Sequence, residues 1–138
     1  MIYALKEQIG VPSLFCGRKQ QMELLTNWVE MIPRQMAKSR ALLGRRKSGK
    51  SAIMQRLFNR LWNQQGPVIP FYFEVLDHDQ WLLDFADAYY RTFMSQYLSF
   101  KTRTILPLNN RPWHFVELTN MATDLGAHNT LKHIDFFQ

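Results

Sequence analysis

Apolar residues in this chain fall into helical stripes separated by short continuous runs. Met22, Leu25, Trp28, Val29 and Ile32 recur at three- and four-residue spacing, the period that lines one face of a helix. They predict a helix over residues 18–32, ended or kinked by Pro33. Residues 40–43 form a brief apolar run before Gly44 and read as a short buried strand. Beyond Lys50 the helical period returns in Ile53, Leu57 and Leu61, with Phe58 and Trp62 beside them, until Gly66-Pro67 stops it. VIPFYFEV, residues 68–75, is β-branched and aromatic and of strand length; Pro70 points to an edge position or a late start.

The second half continues the alternation. Asp77 and Asp79 are good N-caps for a helix whose stripe is Leu82, Phe85, Ala86, Tyr89, Phe93 and Tyr97, ending near Phe100. After a linker, KTRTILPLNN, Pro112 suits the first turn of a helix through Phe115, Leu118, Met121 and Leu125, closed by Gly126. Helix, strand, glycine loop, helix, strand, helix, helix is an order that predicts an α/β sandwich with a mainly parallel sheet.

Composition narrows the class. At 138 residues, 46% apolar and 14% aromatic, the chain is one globular domain's worth or part of a larger one. Cys16 is the single cysteine, which excludes an internal disulfide and suits a reducing compartment. The start, MIYALKEQIG, lacks the long apolar run of a signal peptide, and no stretch approaches a membrane span. A cytoplasmic location without membrane partners is the expectation. The net charge of +6 gathers at Lys38, Arg40, Arg45, Arg46, Lys47 and Lys50. Such a cluster suits phosphate or nucleic acid, and composition does not separate the two.

A glycine loop lies inside that cluster. Gly44, Arg45, Arg46, Lys47, Ser48, Gly49, Lys50 and Ser51 match G-x-x-x-x-G-K-[ST] at every fixed position. A loop of this length wraps a phosphate with backbone N–H groups, and the following helix adds its positive end. Glycines permit close approach, Lys50 brings a mobile charge, and the Ser51 hydroxyl is a Mg²⁺ ligand in such loops. The motif needs a strand before it and a helix after it, and the pattern predicts both.

Upstream, Leu14-Phe15-Cys16-Gly17-Arg18 followed by Gln20, Glu23 and Leu24 resembles the F-x-G-R-x-x-E-L segment that opens AAA+-like and STAND-type P-loop ATPases, the archaeal-type group above all. The resemblance implies a P-loop NTPase three-layer sandwich holding ATP and Mg²⁺. Phe15, Gly17 and Arg18 would lie near adenine and ribose, residues 44–51 with Ala52 at the phosphates, and Ser51 at the metal. It implies one partial ATPase domain over residues 1–138. In it, 1–38 is the leading segment and helix, 39–66 strand, P-loop and helix, and 67–138 the second strand and helices.

The chain departs from that family where hydrolysis is carried out. A Walker B strand is four apolar residues ending in Asp, usually then Glu. Glu74 ends FYFEV too close to the P-loop helix, and Lys132 and His133 break the run before Asp135. No sensor residue, arginine finger or lid is found. In such ATPases later strands also lie between the two found here, so the sheet is expected to be incomplete, lacking C-terminal strands. The expectation is a truncated ATP-binding fragment, hydrolysis by this chain alone not being expected, with an autonomous small fold as the alternative if the two strands pair directly. Its output would be carried by a missing C-terminal region or a protein partner.

Two rivals stand beside it: a nucleic-acid-binding module using the basic cluster, and a small P-loop phosphotransferase, for which no acceptor site is visible. His78, His114, His128 and His133 have no metal-ligand spacing. Asp77-His78-Asp79 reads as helix capping. Trp81, Phe85, Tyr89, Phe93 and Tyr97 read as core, or as rings able to stack bases or face a missing region. Ser13, Ser48 and Cys16 have no paired histidine for nucleophilic catalysis.

Overall fold

A computed structural model describes residues 2–9, 13, 15–75, 82–105, 120 and 123–124. Three helices are assigned among them: α1 at Lys19–Glu30, α2 at Lys50–Gln64 and α3 at Leu82–Thr102. They fall in two compact units, Met1–Tyr72 and Phe73–Gln138.

In the N-terminal unit the two predicted stripes meet. Met22 and Val29 of α1 and Ile53 and Leu57 of α2 are buried as one cluster, with Phe15, Leu25, Trp28, Ile32, Leu61 and Val68 packed against it. Burying each such side chain contributes roughly 1.5–3 kcal/mol. This packing holds two short helices that would be marginal alone. Helix α1 ends in a run of turns around Pro33, and the indole of Trp28 donates to the Lys38 carbonyl at 2.8 Å, fixing the path that leaves it. Helix α2 begins after Gly49, at φ +83°, and ends at Gln65, whose φ of +51° lies in the left-handed region. The stop falls one residue before the expected glycine.

Neither predicted strand forms. Residues 40–43 and 68–75 are irregular, and Leu43 is 88% exposed where a buried strand was expected. A strand persists only when its N–H and C=O groups find a neighbouring strand. Strands 40–43 and 68–75 were expected to flank absent ones, and they do not pair with each other. Among the described residues there is no sheet, so the α/β P-loop NTPase-like three-layer sandwich is corrected to a helical architecture. The resemblance to AAA+-like and STAND ATPases does not extend to the fold.

In the C-terminal unit α3 forms over the predicted span but buries a different line. Phe73 packs edge-on against Phe85 and Tyr89 at 5.5 and 5.2 Å, and Phe93 stacks on Tyr97. Tyr89 is exposed, while Met94 and Leu98, one position round from Phe93 and Tyr97, are fully buried. Asp77, Asp79, Trp81, Asp135 and all four histidines lie outside the described residues, and of the helix expected from Pro112 to Gly126 only residues 120, 123 and 124 are described, all helical.

Candidate functional site: the basic loop and the amide face of helix α2

The loop before α2 is closed on itself. Ser48 N–H donates to the Arg45 carbonyl at 3.2 Å, making a tight turn. Lys47 and Gly49 both adopt positive φ, +62° and +83°. At Lys47 that geometry is costly for a side chain, roughly 1–2 kcal/mol; at Gly49 it is not. The Lys50 ammonium folds back and donates to the carbonyls of Gly44 and Arg45, each at 2.7 Å, with the Ser48 hydroxyl at 3.4 Å. One cation thereby satisfies several inward-pointing oxygens. Gly44 sits close beneath this arrangement: a Cβ there meets Ser48 Oγ at 3.0 Å, a hydroxyl that can turn aside, and Lys50 Cδ at 3.6 Å.

The leading segment reaches the loop through one residue. Arg18, just ahead of α1, donates from its guanidinium to the Ser48 carbonyl at 2.8 Å. Gly17 turns the chain with φ +75° to put it there. Phe15 has a different place: its ring lies under the Arg56 guanidinium, 4.7 Å away, and packs on the core. Ala52 is buried in α2, and Ser51 is exposed. Of the twelve residues predicted for the site, the eight of the loop and Arg18 come together with Gly17 as the turn that places Arg18, and Phe15 and Ala52 belong to the core.

The electrostatics of the loop are one-sided. Arg45, Arg46 and Lys47 are exposed. The first turn of α2 has no acidic residue, and no side chain caps it. A Cβ built on Gly49 meets nothing within 4 Å. An uncapped helix start carries positive partial charge, and here the exposed cations of the loop add to it.

Sequence reasoning missed a second polar construction. Gln55, Asn59 and Asn63, four residues apart on α2, bind the backbone of the first residues of the chain. Asn63 accepts from Ile2 N–H at 2.8 Å and donates to its carbonyl at 2.6 Å. Asn59 does the same for Leu5, both at 2.8 Å, and Gln55 accepts from Gln8 N–H at 2.7 Å. Glu7, with a fully buried side chain, pairs with Arg56 at 2.8 Å and accepts from Asn59 at 3.0 Å. The signal was the i, i+4, i+8 run of amides, whose spacing keeps them on one helix face.

Comparison with protein families, with curated proteins and with solved structures finds no match to this chain. The lack of a sheet among the described residues corrects the nucleotide reading. In P-loop ATPases the loop is held between a sheet strand and a helix, and here the strand side is irregular and exposed. ATP binding, a nucleotide partner and a parent ATPase activity lose their structural basis, and a P-loop phosphotransferase falls with the same fold. Mg²⁺ at Ser51 has no support either: among the described residues no group of three His, Cys, Asp or Glu could hold a metal. The nucleic-acid alternative gains nothing from the nearest rings, since Phe15 and Trp28 pack against the core rather than standing free to stack on bases.

Proposed function

We propose that the N-terminal unit is a non-catalytic binding module whose loop, residues 44–51 with Arg18 behind it, takes a small oxyanion of the phosphate or sulfate class. The observation that carries this is the uncapped, acid-free start of α2, opening beside three exposed cations. An anion there receives helix N–H donors and the helix dipole, with Arg45, Arg46 and Lys47 raising its local concentration. Lys50 works from inside, holding the loop carbonyls turned inward so that they do not face the anion. Arg18 supports the same shape through Ser48. No nucleoside, metal or hydrolysis enters this reading.

Calorimetric titration with inorganic phosphate and with pyrophosphate tests it. Saturable binding that is weakened several-fold by the triple change Arg45→Ala, Arg46→Ala and Lys47→Ala, and is indifferent to magnesium, is the expected result. Equal binding by the triple variant overturns it. Magnesium-dependent binding of a nucleoside triphosphate far tighter than of pyrophosphate overturns it from the other side.

A further inference from the structure

Residues 2–8 are held on α2 largely through their backbone. Two amides each grip one residue's N–H and C=O together, and a third takes an N–H. The pairs run 2 to 63, 5 to 59 and 8 to 55, so the segment lies antiparallel to the helix. Amides four residues apart are about 6 Å apart along a helix, which three residues span only in a bent chain, and bends at residues 4–5 and turns at 8–9 supply that shortening. Two side chains also meet the face: Glu7 pairs with Arg56 and accepts from Asn59, and the Tyr3 ring lies 5.7 Å from the Arg56 guanidinium. Ile2, Tyr3, Lys6 and Gln8 are exposed, so little apolar burial fastens the strap. By contrast Asn59 is 0% and Gln55 2% exposed.

From this we infer that the Gln55-Arg56-Asn59-Asn63 face is a peptide-binding site. It is filled in cis by residues 2–8 and, in exchange, by residues 2–8 of a second copy of this chain. Exchange preserves every contact, because the same element docks on the same face. The cis segment wins at low concentration through its tether, and the trans segment enters when the tethered one is off. The partner chemistry is defined: a bent backbone presenting three residues at steps of three, with a carboxylate between the second and third. This inference is independent of the anion loop, and its failure leaves that reading intact.

The test uses the full chain and a fluorescent synthetic peptide, MIYALKEQ. Glu7→Ala in the chain weakens its own strap and leaves the face intact. The labelled peptide is expected to bind this variant about tenfold more tightly than the parent. A second change, Asn59→Ala, is expected to abolish the gain. Equal binding to parent and Glu7→Ala chains, or none to either, overturns the inference. Hydrogen exchange on the parent chain is the second measurement, informative even if Glu7→Ala does not fold. Amides of Ile2, Leu5 and Gln8 are expected to be at least about tenfold less protected than those of Leu57 and Leu61. Equal protection contradicts a detachable strap.

Discussion

The Arg18 guanidinium donates to the Ser48 carbonyl across 2.8 Å, although the two are 30 positions apart in sequence. This bond ties the start of α1 to the turn that opens α2. A charged donor on a neutral carbonyl is stronger than an ordinary hydrogen bond, and Arg18 is partly shielded from water. Arg18→Ala is therefore expected to cost about 1 kcal/mol in urea unfolding and to speed exchange of the Ser48 and Gly49 amides. Loop exchange unchanged in the variant would remove Arg18 from its supporting role.

The helical correction makes a prediction about two leucines. Leu57 is 4% exposed in the core of the N-terminal unit, whereas Leu43 is 88% exposed. Leu57→Ala should destabilise by about 2–5 kcal/mol, the range for emptying a packed site. Leu43→Ala should change stability by less than about 0.5 kcal/mol, as an open surface position does. A Leu43→Ala cost approaching that of Leu57→Ala would restore the buried strand and, with it, the sheet.

Glycines 44 and 49 serve the loop for different reasons, and alanine separates them. At Gly49 the obstacle is backbone: φ is +83° with open space around the missing Cβ. Gly49→Ala is expected to cost about 1 kcal/mol through strain alone. At Gly44 the nearest neighbour is the Ser48 hydroxyl at 3.0 Å, which can rotate away. Gly44→Ala should therefore be the milder change by thermal unfolding, and Gly44→Val the harsher one, because its branches reach the Lys50 stem. The reverse order for the two alanine variants would contradict the loop geometry.

Asn59 satisfies three groups at once: both backbone atoms of Leu5 and the Glu7 carboxylate. Asn59→Ala strands buried partners and should cost about 2–3 kcal/mol. Asn59→Asp keeps the acceptor for Leu5 N–H but sets a second carboxylate against Glu7, where the amide donor now lies at 3.0 Å. Near neutral pH the aspartate variant is expected to be the less stable of the two in chemical denaturation. Equal stability would mean the strap is not seated on this face.

What the sequence made legible is what depends on one segment at a time. Helix α2 was readable from Ile53, Leu57 and Leu61 between two glycine stops, and α1 from Met22 through Val29 ahead of Pro33. A strand depends on a partner segment, and nothing in LLG or VIPFYFEV reveals whether a neighbour exists. The apolar runs were real and the sheet was not. In α3 the large rings drew the stripe to Phe93 and Tyr97, while the deepest burial went to Met94 and Leu98 beside them. The glycine loop was legible as a turn into a helix, and its lysine folded onto the loop's own carbonyls. Gln55, Asn59 and Asn63 looked like an ordinary wet face because their partner is backbone, which has no letter in a sequence.

The central claim is that an anion docks at the mouth of α2. Amide chemical shifts of the full chain, followed by ¹H–¹⁵N correlation spectra during a pyrophosphate titration without metal, test it most directly. Saturable movement concentrated on residues 45–53, with the resonances of residues 2–8 and α3 unmoved, is the predicted outcome. Shifts scattered over every lysine and arginine, or none at Lys50, Ser51 and Ala52, would contradict it.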